Sequence, residues 1–237
     1  MLHKSLLSIL ALVGLSLAGH AQEKDKTVPL QFRAVLHDPL NPVANLFYTD
    51  KTGAIVPLNF RPQDLTGVLW TLPLNGSLVL YDKAAVDPEN PAASLAASVT
   101  LPPDLKRAIV LVLPAPAGQK PAYRILLIDD SEKGFPKGES RIIPLIGVET
   151  AIQAGEHKIP VPPGEIAKLP PVRKVNDFNM AQTNFYFQKG DSWVAFTERQ
   201  LQFLDVCRRL FIVHVTPGAL TPTVTTIVDT APVGMQR

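Results

Sequence analysis

Proline places the tightest limit on what this chain can fold into. It occupies 23 of the 237 positions, about twice its ~5% share in ordinary proteins. The prolines cluster between apolar runs, in "HDPLNP", "LPPD", "LPAPAGQKP", "IPVPPG" and "KLPPV". A proline has no N–H for a sheet ladder and clashes inside a helix, so these stretches become strand ends, edges and extended connectors. Turn signals recurring about every ten residues predict short antiparallel strands in a sandwich or barrel.

The segments between the prolines agree. In "VPLQFRAVLH", Leu30, Phe32, Ala34 and Leu36 alternate with Gln31, Arg33 and His37. That is the period of two of a strand with one buried face. "LFYTDKTGAIVPL" carries a turn at Asp50–Gly53 between apolar flanks, a hairpin signature. Asn75-Gly76 in "LPLNGSLVLYD" is a tighter one, because both residues tolerate positive φ. Asn75-Gly76-Ser77 also matches a glycosylation sequon, but the turn already accounts for it. "SLAASVTL", "RAIVLVLP", "AYRILLID", "SRIIPLIG", "EHKIPV", "EIAKL", "NFYFQ", "SWVAFT", "RRLFIVHV" and "TVTTIVD" read as further strands. "AIVLVL", "RILLI" and "LFIV" are apolar on both faces and are expected at the centres of covered sheets. One segment favours a short helix or irregular turn: "TERQLQFLDVCRR", residues 197–209, where Thr197 and Gln200 form a capping box. No internal repeat of fixed period is visible.

The N-terminus reads as an export signal over residues 1–21. Lys4 precedes the apolar run "LLSILALVGLSLA", and Gly19 and Ala21 are the small residues before a cleavage point. The run is short for a membrane span, and no later stretch reaches ~18 apolar residues, so a mature chain without a transmembrane segment is expected. What remains suits two domains of ~100 residues, 22–132 and 133–237. Charge is nearly balanced, 23 basic against 21 acidic. The basic residues are scattered and form no stripe for a phosphate backbone, so nucleic acid is not an expected partner. The one cysteine, Cys207, rules out an internal disulfide. Its setting in "FLDVCRRLFIV" predicts burial.

Motifs for catalysis are few. His37, His157 and His214 are far apart in sequence. Ser140, in "KGESR", lacks the second glycine of a nucleophile elbow. His214 alternates with Leu210 and Ile212 as a packed strand histidine does. With Cys207 it makes a poor copper set, since no methionine follows closely. The most motif-like stretch is "LLIDDSEKGFPKGESRIIPL". Asp129, Ser131 and Gly134 fit the first, third and sixth places of a calcium loop, whereas Lys133 and Ser140 stand where oxygen ligands should be. Asp and Ser bond nearby amides and glycine permits a left-handed turn, so the stretch is expected to connect strands and the two domains. No catalytic residue, metal ligand or cofactor site is assigned.

One recognition surface can be named. "NFYFQKGDSWVAF" reads as a hairpin turning at Lys189-Gly190, with Tyr186 opposite Trp193 and Phe185 opposite Val194. Phe185, Phe187, Val194 and Phe196 then share the core face. Tyr186 and Trp193 fall on the other face beside Asn184 and Gln188. Cross-strand aromatic pairs stabilise hairpins by ~0.2–1 kcal/mol, and an amphipathic pair can also serve as a platform for a sugar ring or a partner surface.

The pattern "FPKGESRIIPL…AGEHKIPVPPGE…RRLFIVHVTPG…VTTIVD" resembles that of uncharacterised exported bacterial β-sandwich proteins. The likeness covers the C-terminal half and consists of glycine and proline punctuation. It implies a fold and a compartment, and carries over no catalytic residue. The expectation is an all-β protein: a signal peptide followed by two antiparallel β-sandwich-like, immunoglobulin-like domains, exported to the periplasm or beyond. The function expected is a non-catalytic structural or binding module of the bacterial cell envelope, with another envelope protein or a glycan as partner and Tyr186 and Trp193 as its binding residues. The alternatives are a secreted glycan hydrolase using carboxylates brought together by the fold, and a two-domain periplasmic chaperone, which would add an edge strand to its client.

Overall fold

A computed structural model describes residues 28–42, 44–87 and 89–230; the expected export signal lies outside them. The first half supplies β1 (Leu30–Leu36), β2 (Leu46–Thr49), β3 (Ile55–Leu58), β4 (Leu69–Thr71), β5 (Ser77–Tyr81), β6 (Leu95–Thr100), β7 (Arg107–Pro114) and β8 (Tyr123–Asp129). The second supplies β9 (Ser140–Pro144), β10 (Thr150–Ala154), β11 (His157–Val161), β12 (Ala167–Leu169), β13 (Met180–Lys189), β14 (Ser192–Gln202), β15 (Arg208–His214) and β16 (Thr223–Asp229). Among the described residues there is no α-helix, only a 3-10 turn at Pro91–Ser94. The protein is all-β and sandwich-like. No helix of the described residues is long and apolar enough to cross a membrane.

The strands form four four-stranded sheets, ordered β4-β1-β7-β8, β3-β2-β5-β6, β12-β9-β15-β16 and β11-β10-β13-β14. Adding eight to every strand of the first pair of sheets gives the second pair. The senses repeat as well: β1 runs parallel to β7 and β9 parallel to β15, while the remaining neighbours are antiparallel. The chain thus holds a topological repeat with no sequence period, because pairing order survives changes in loop length and side chain. The halves differ most in one hairpin. β5 and β6 have 5 and 6 residues, whereas β13 and β14 have 10 and 11.

Three apolar cores hold the sheets together. Leu30, Phe32, Ala34, Val110 and Val112 pack against Leu78, Leu80 and Ala97 between the first two sheets. Ile142, Phe211 and Val213 pack against Ile152, Phe185 and Ala181 between the last two. Between these, Val35, Ile109, Leu111 and Ile128 of the β1 sheet meet Ile143, Leu210, Ile212 and Ile227 of the β9 sheet. Here the two central sheets share a seam. The continuous apolar runs of β7 and β15 are explained by this, since each lies at the centre of a sheet covered on both faces. β1 differs from the one-sided strand its alternation suggests: Arg33, Val35 and, just past its end, His37 are buried on the seam side, and Arg33 is only 4% exposed. β8, also read as central from "RILLI", lies at a sheet edge.

Charge closes one end of the seam. The guanidinium of Arg33 binds Asp130 through Nε and Nη2 at 3.0 and 2.9 Å, and Asp229 through Nη1 and Nη2, both at 2.8 Å. Arg208 binds Asp229 from Nε at 3.0 Å, reaches Asp130 with Nη2 at 2.5 Å, and donates from Nη1 to the Phe135 carbonyl at 2.7 Å. All four side chains are at most 5% exposed. Burial pulls the Arg33 pKa down, but Asp229 and Asp130 outweigh it and the net shift is upward. Burial pushes the Asp229 carboxyl up, and Arg33 and Arg208 bring it below its usual range. The register gives the two carboxylates matching places: β7 pairs β8 up to Asp129, with Asp130 next in line, and β15 pairs β16 up to Asp229.

The segment at residues 197–209 holds no helix. Residues 197–202 belong to β14, and a turn at 203–207 leads into β15. The polar Thr197, Glu198 and Gln200 suit a hairpin strand with one solvated face, and pairing with β13 overrides the capping box.

The cluster gives the first prediction. Arg208→Met removes one cation and leaves Asp130 and Asp229 sharing a buried site with Arg33 alone. Urea unfolding should show ~3–5 kcal/mol lower stability; a loss under ~1 kcal/mol would show that water reaches the cluster.

Candidate functional site

The long hairpin β13–β14 carries the surface singled out in the sequence. Its turn is Gly190-Asp191, with Lys189 paired to Ser192, one residue beyond the expected turn at Lys189-Gly190, a step that shifts each pairing by two residues. Gln188 faces Trp193, Phe187 faces Val194 and Tyr186 faces Ala195, and a bulge follows before Phe185 meets Thr197. Gly190 takes a positive φ of 59°, as the first residue of a two-residue hairpin turn commonly does. Tyr186 and Trp193 are therefore diagonal neighbours and not direct partners. The step moves both strands together, so each residue keeps its face. Phe185 and Phe187 both pack edgewise or tilted on Phe196, with ring centroids 6.2 and 5.9 Å apart, on the core side.

The outer face is built from alternate residues of three strands. β13 contributes Gln182, Asn184, Tyr186 and Gln188; β14 contributes Trp193, Ala195, Glu198, Gln200 and Gln202; β10 contributes Ala151 and Gln153. Amides dominate, and Glu198 is the single carboxylate of these positions. They are linked in a line: Gln182 Nε2 donates to Asn184 Oδ1 at 2.7 Å, Asn184 Nδ2 to the Tyr186 hydroxyl at 3.2 Å, and that hydroxyl to Gln153 Oε1 at 3.3 Å. The last bond draws the Tyr186 ring across β10, over Ala151, which is only 5% exposed although it faces outward. Alanine on both sides, at 151 and 195, leaves room for the ring to lie along the sheet. Trp193 stands more openly, at 46% exposure.

The other candidates fall elsewhere. Asp129 Oδ1 accepts from the Ser131 amide at 2.8 Å, and Ser131 Oγ from the Gly134 amide at 2.9 Å, so the acidic stretch is a self-bonded connector. Its glycine serves space and not a left-handed turn: a Cβ on Gly134 would lie 2.1 Å from the Asp129 carboxylate. Phe135 follows, fully buried, with the guanidinium carbons of Arg141 and Arg208 each 4.4 Å from its ring centre. Cys207 is a free, buried thiol. The Ser140 hydroxyl is buried away from any histidine partner. Among the described residues, no three of His, Cys, Asp and Glu gather as a metal site.

Two of the three distant histidines do meet. At the end of the seam away from the charge cluster, the rings of His37 and His214 touch edge to face, centroids 4.4 Å apart. His157 lies apart and contacts the Pro171 carbonyl. Burial pushes His37 down to about 4, with His214 adding to the shift and Asp38 opposing it. Burial also lowers His214. Sequence reading missed this pair because strands 177 positions apart bring it together. The trace it leaves is a histidine at the end of β1 and of β15.

No protein-family model matches the chain, and no curated protein matches it.

The depressed histidine pKa sets a sign for acid behaviour. Above the unfolded value of ~6.5 both states hold neutral imidazole and stability is unaffected. As pH falls from there toward about 4, only the unfolded chain takes the proton, and the folded state loses stability. His37→Leu should remove up to ~3 kcal/mol of this acid loss, seen as a flatter curve of unfolding free energy between pH 6.5 and 4. An unchanged slope would show that His37 titrates normally in the fold.

Proposed function

We propose that the chain is an exported, non-catalytic binding module of the bacterial cell envelope that holds a neutral glycan on the outer face of the β11-β10-β13-β14 sheet. On this reading its two halves are two sandwich-like, immunoglobulin-like domains joined near residues 130–136. The observation that carries the reading is the make-up of that face: a line of primary amides beside one flat and one standing aromatic ring, with Glu198 of β14 and Lys158 of β11 as its charged members, opposite in sign. A carboxamide both donates and accepts, as does a sugar hydroxyl, and an aromatic face suits the C–H side of a pyranose. An ionic partner would instead call for charged side chains.

Two further features support it. The face is long only in the second half, where β13 and β14 are about twice the length of β5 and β6. Extra strand that adds little to the core is expected to serve the surface. The two buried carboxylates, Asp130 and Asp229, are each held by two guanidiniums, which supports binding without hydrolysis.

Affinity electrophoresis through gels containing a β-glucan, a mannan or a xylan tests the reading. At least one neutral polymer should retard the wild type. Trp193→Ala should restore free mobility while lowering stability by only ~1 kcal/mol, because the ring is half exposed and outside the core. If no neutral polymer retards the protein, or if Trp193→Ala is retarded as strongly as wild type, this face is not a glycan site.

A further inference from the structure

The histidine pair is also the wall of a cavity. At that end of the seam a hollow of about 610 Å³ opens between the two central sheets, within the ~300–1,000 Å³ of ordinary ligand pockets. A smaller hollow of about 280 Å³ lies beside it, and His37 and His214 line both. The larger one is mostly apolar, walled by Leu113, Leu145 and Ile146 and by the prolines that end the strands. The register shows why the hollow is there. The two central sheets are packed tightly along Ile109–Leu113 and Leu210–Ile212, and they part where the chain turns away after His37 and His214.

Three polar features of this hollow are unusual. His37 and His214 are each 8% exposed. His37 Nε2 and His214 Nδ1 are nevertheless without a hydrogen-bond partner, although His214 Nε2 meets Thr225 Oγ1 at 3.0 Å. A buried polar nitrogen left unpaired is costly and rare in a folded protein. Arg124 pairs with Leu113 across β7 and β8, and Leu113 faces the seam, so Arg124 faces the hollow too. It has no carboxylate partner among the described residues. The one acidic residue at the rim, Asp38, turns its Oδ1 to the amides of Leu40 and Asn41, both at 3.0 Å. Asp38 keeps its charge but is already held by these amides, and Arg124 is the cation of the lining with no partner of opposite charge.

We propose that this cavity binds a small anionic amphiphile, an apolar chain or ring ending in a carboxylate. The apolar body lies against Leu113, Leu145 and Ile146, and the carboxylate takes its contacts from Arg124 and the imidazole pair. A neutral imidazole N–H donates to such an oxygen, and a guanidinium binds a carboxylate in a charge-assisted bond. The site is separate from the glycan face, which lies on the outer sheet, and the two readings stand or fall independently.

Calorimetric and NMR titrations of the purified full chain with decanoate, 1-decanol and decylamine, each kept below its micellar concentration, test the site. Decanoate should bind saturably and shift the imidazole signals of His37 and His214, and decylamine should bind far more weakly. Arg124→Ala, at an exposed position, should weaken decanoate by roughly tenfold, as loss of a charge-assisted bond predicts, and leave 1-decanol nearly unchanged. Ala117→Trp, which places a large ring at the exposed rim, should block both. Three results would each overturn the proposal: no saturable binding of decanoate, equal binding of decanoate and decylamine, or an Arg124→Ala variant that binds decanoate as the wild type does. Unaltered binding to Ala117→Trp would place the ligand elsewhere and end it as well.

Discussion

Two guanidiniums and two carboxylates closed off from water at one end of the seam decide how the two central sheets lie on each other. Each charge is tolerable there only because the opposite charges meet it with nearly complete hydrogen bonding. Apolar packing along Ile109, Leu111, Leu210 and Ile212 holds the sheets together, but such packing is non-directional and would tolerate sliding. The ion cluster does not tolerate it: a displacement of a few ångströms would leave a buried charge without its partner. Phe135, between the guanidiniums of Arg141 and Arg208, ties the connecting stretch into the same arrangement. The position of the histidine cavity, at the far end of that seam, follows from where the cluster fixes the near end.

Strands were legible in the sequence wherever side-chain period and turn chemistry agreed. The turn at Asn75-Gly76 has both residues at positive φ, 49° and 73°. The loop at Asp50–Gly53 is bonded by Asp50 Oδ1 to the amides of Thr52 and Ala54. The short β4 and β10 escaped notice, since three to five residues carry too little pattern. Two-sided burial of β1 was also hidden, because Arg33 and His37 have the appearance of a solvent face. Only partners from residues 130, 229 and 214 turn that face inward, and no local pattern announces a partner so far along the chain.

The surface site was partly legible. Alternation alone put Tyr186 and Trp193 on one side and Phe185 and Phe187 on the other, and that division survives the change of register. The pairing within the hairpin was harder to read, because Lys189-Gly190 and Gly190-Asp191 are both reasonable turns. The neighbouring strand β10 is what gives the face its chemistry, through Ala151 beneath the ring and Gln153 at its hydroxyl. That contribution depends on sheet order, which a linear reading does not contain.

The repeated strand order has a consequence for stoichiometry. A seam formed by the same sheet of each half, with Asp130 and Asp229 at matching positions, is the isologous contact of a two-fold dimer written into one chain. In a true dimer any change in one subunit appears in both. Here the halves are encoded separately, so Leu113 and Leu145 can stand as the apolar counterparts of His214 and His37, and only one half needs the long hairpin. Covalent linkage releases the two copies from symmetry, and one of them can serve as scaffold for the other.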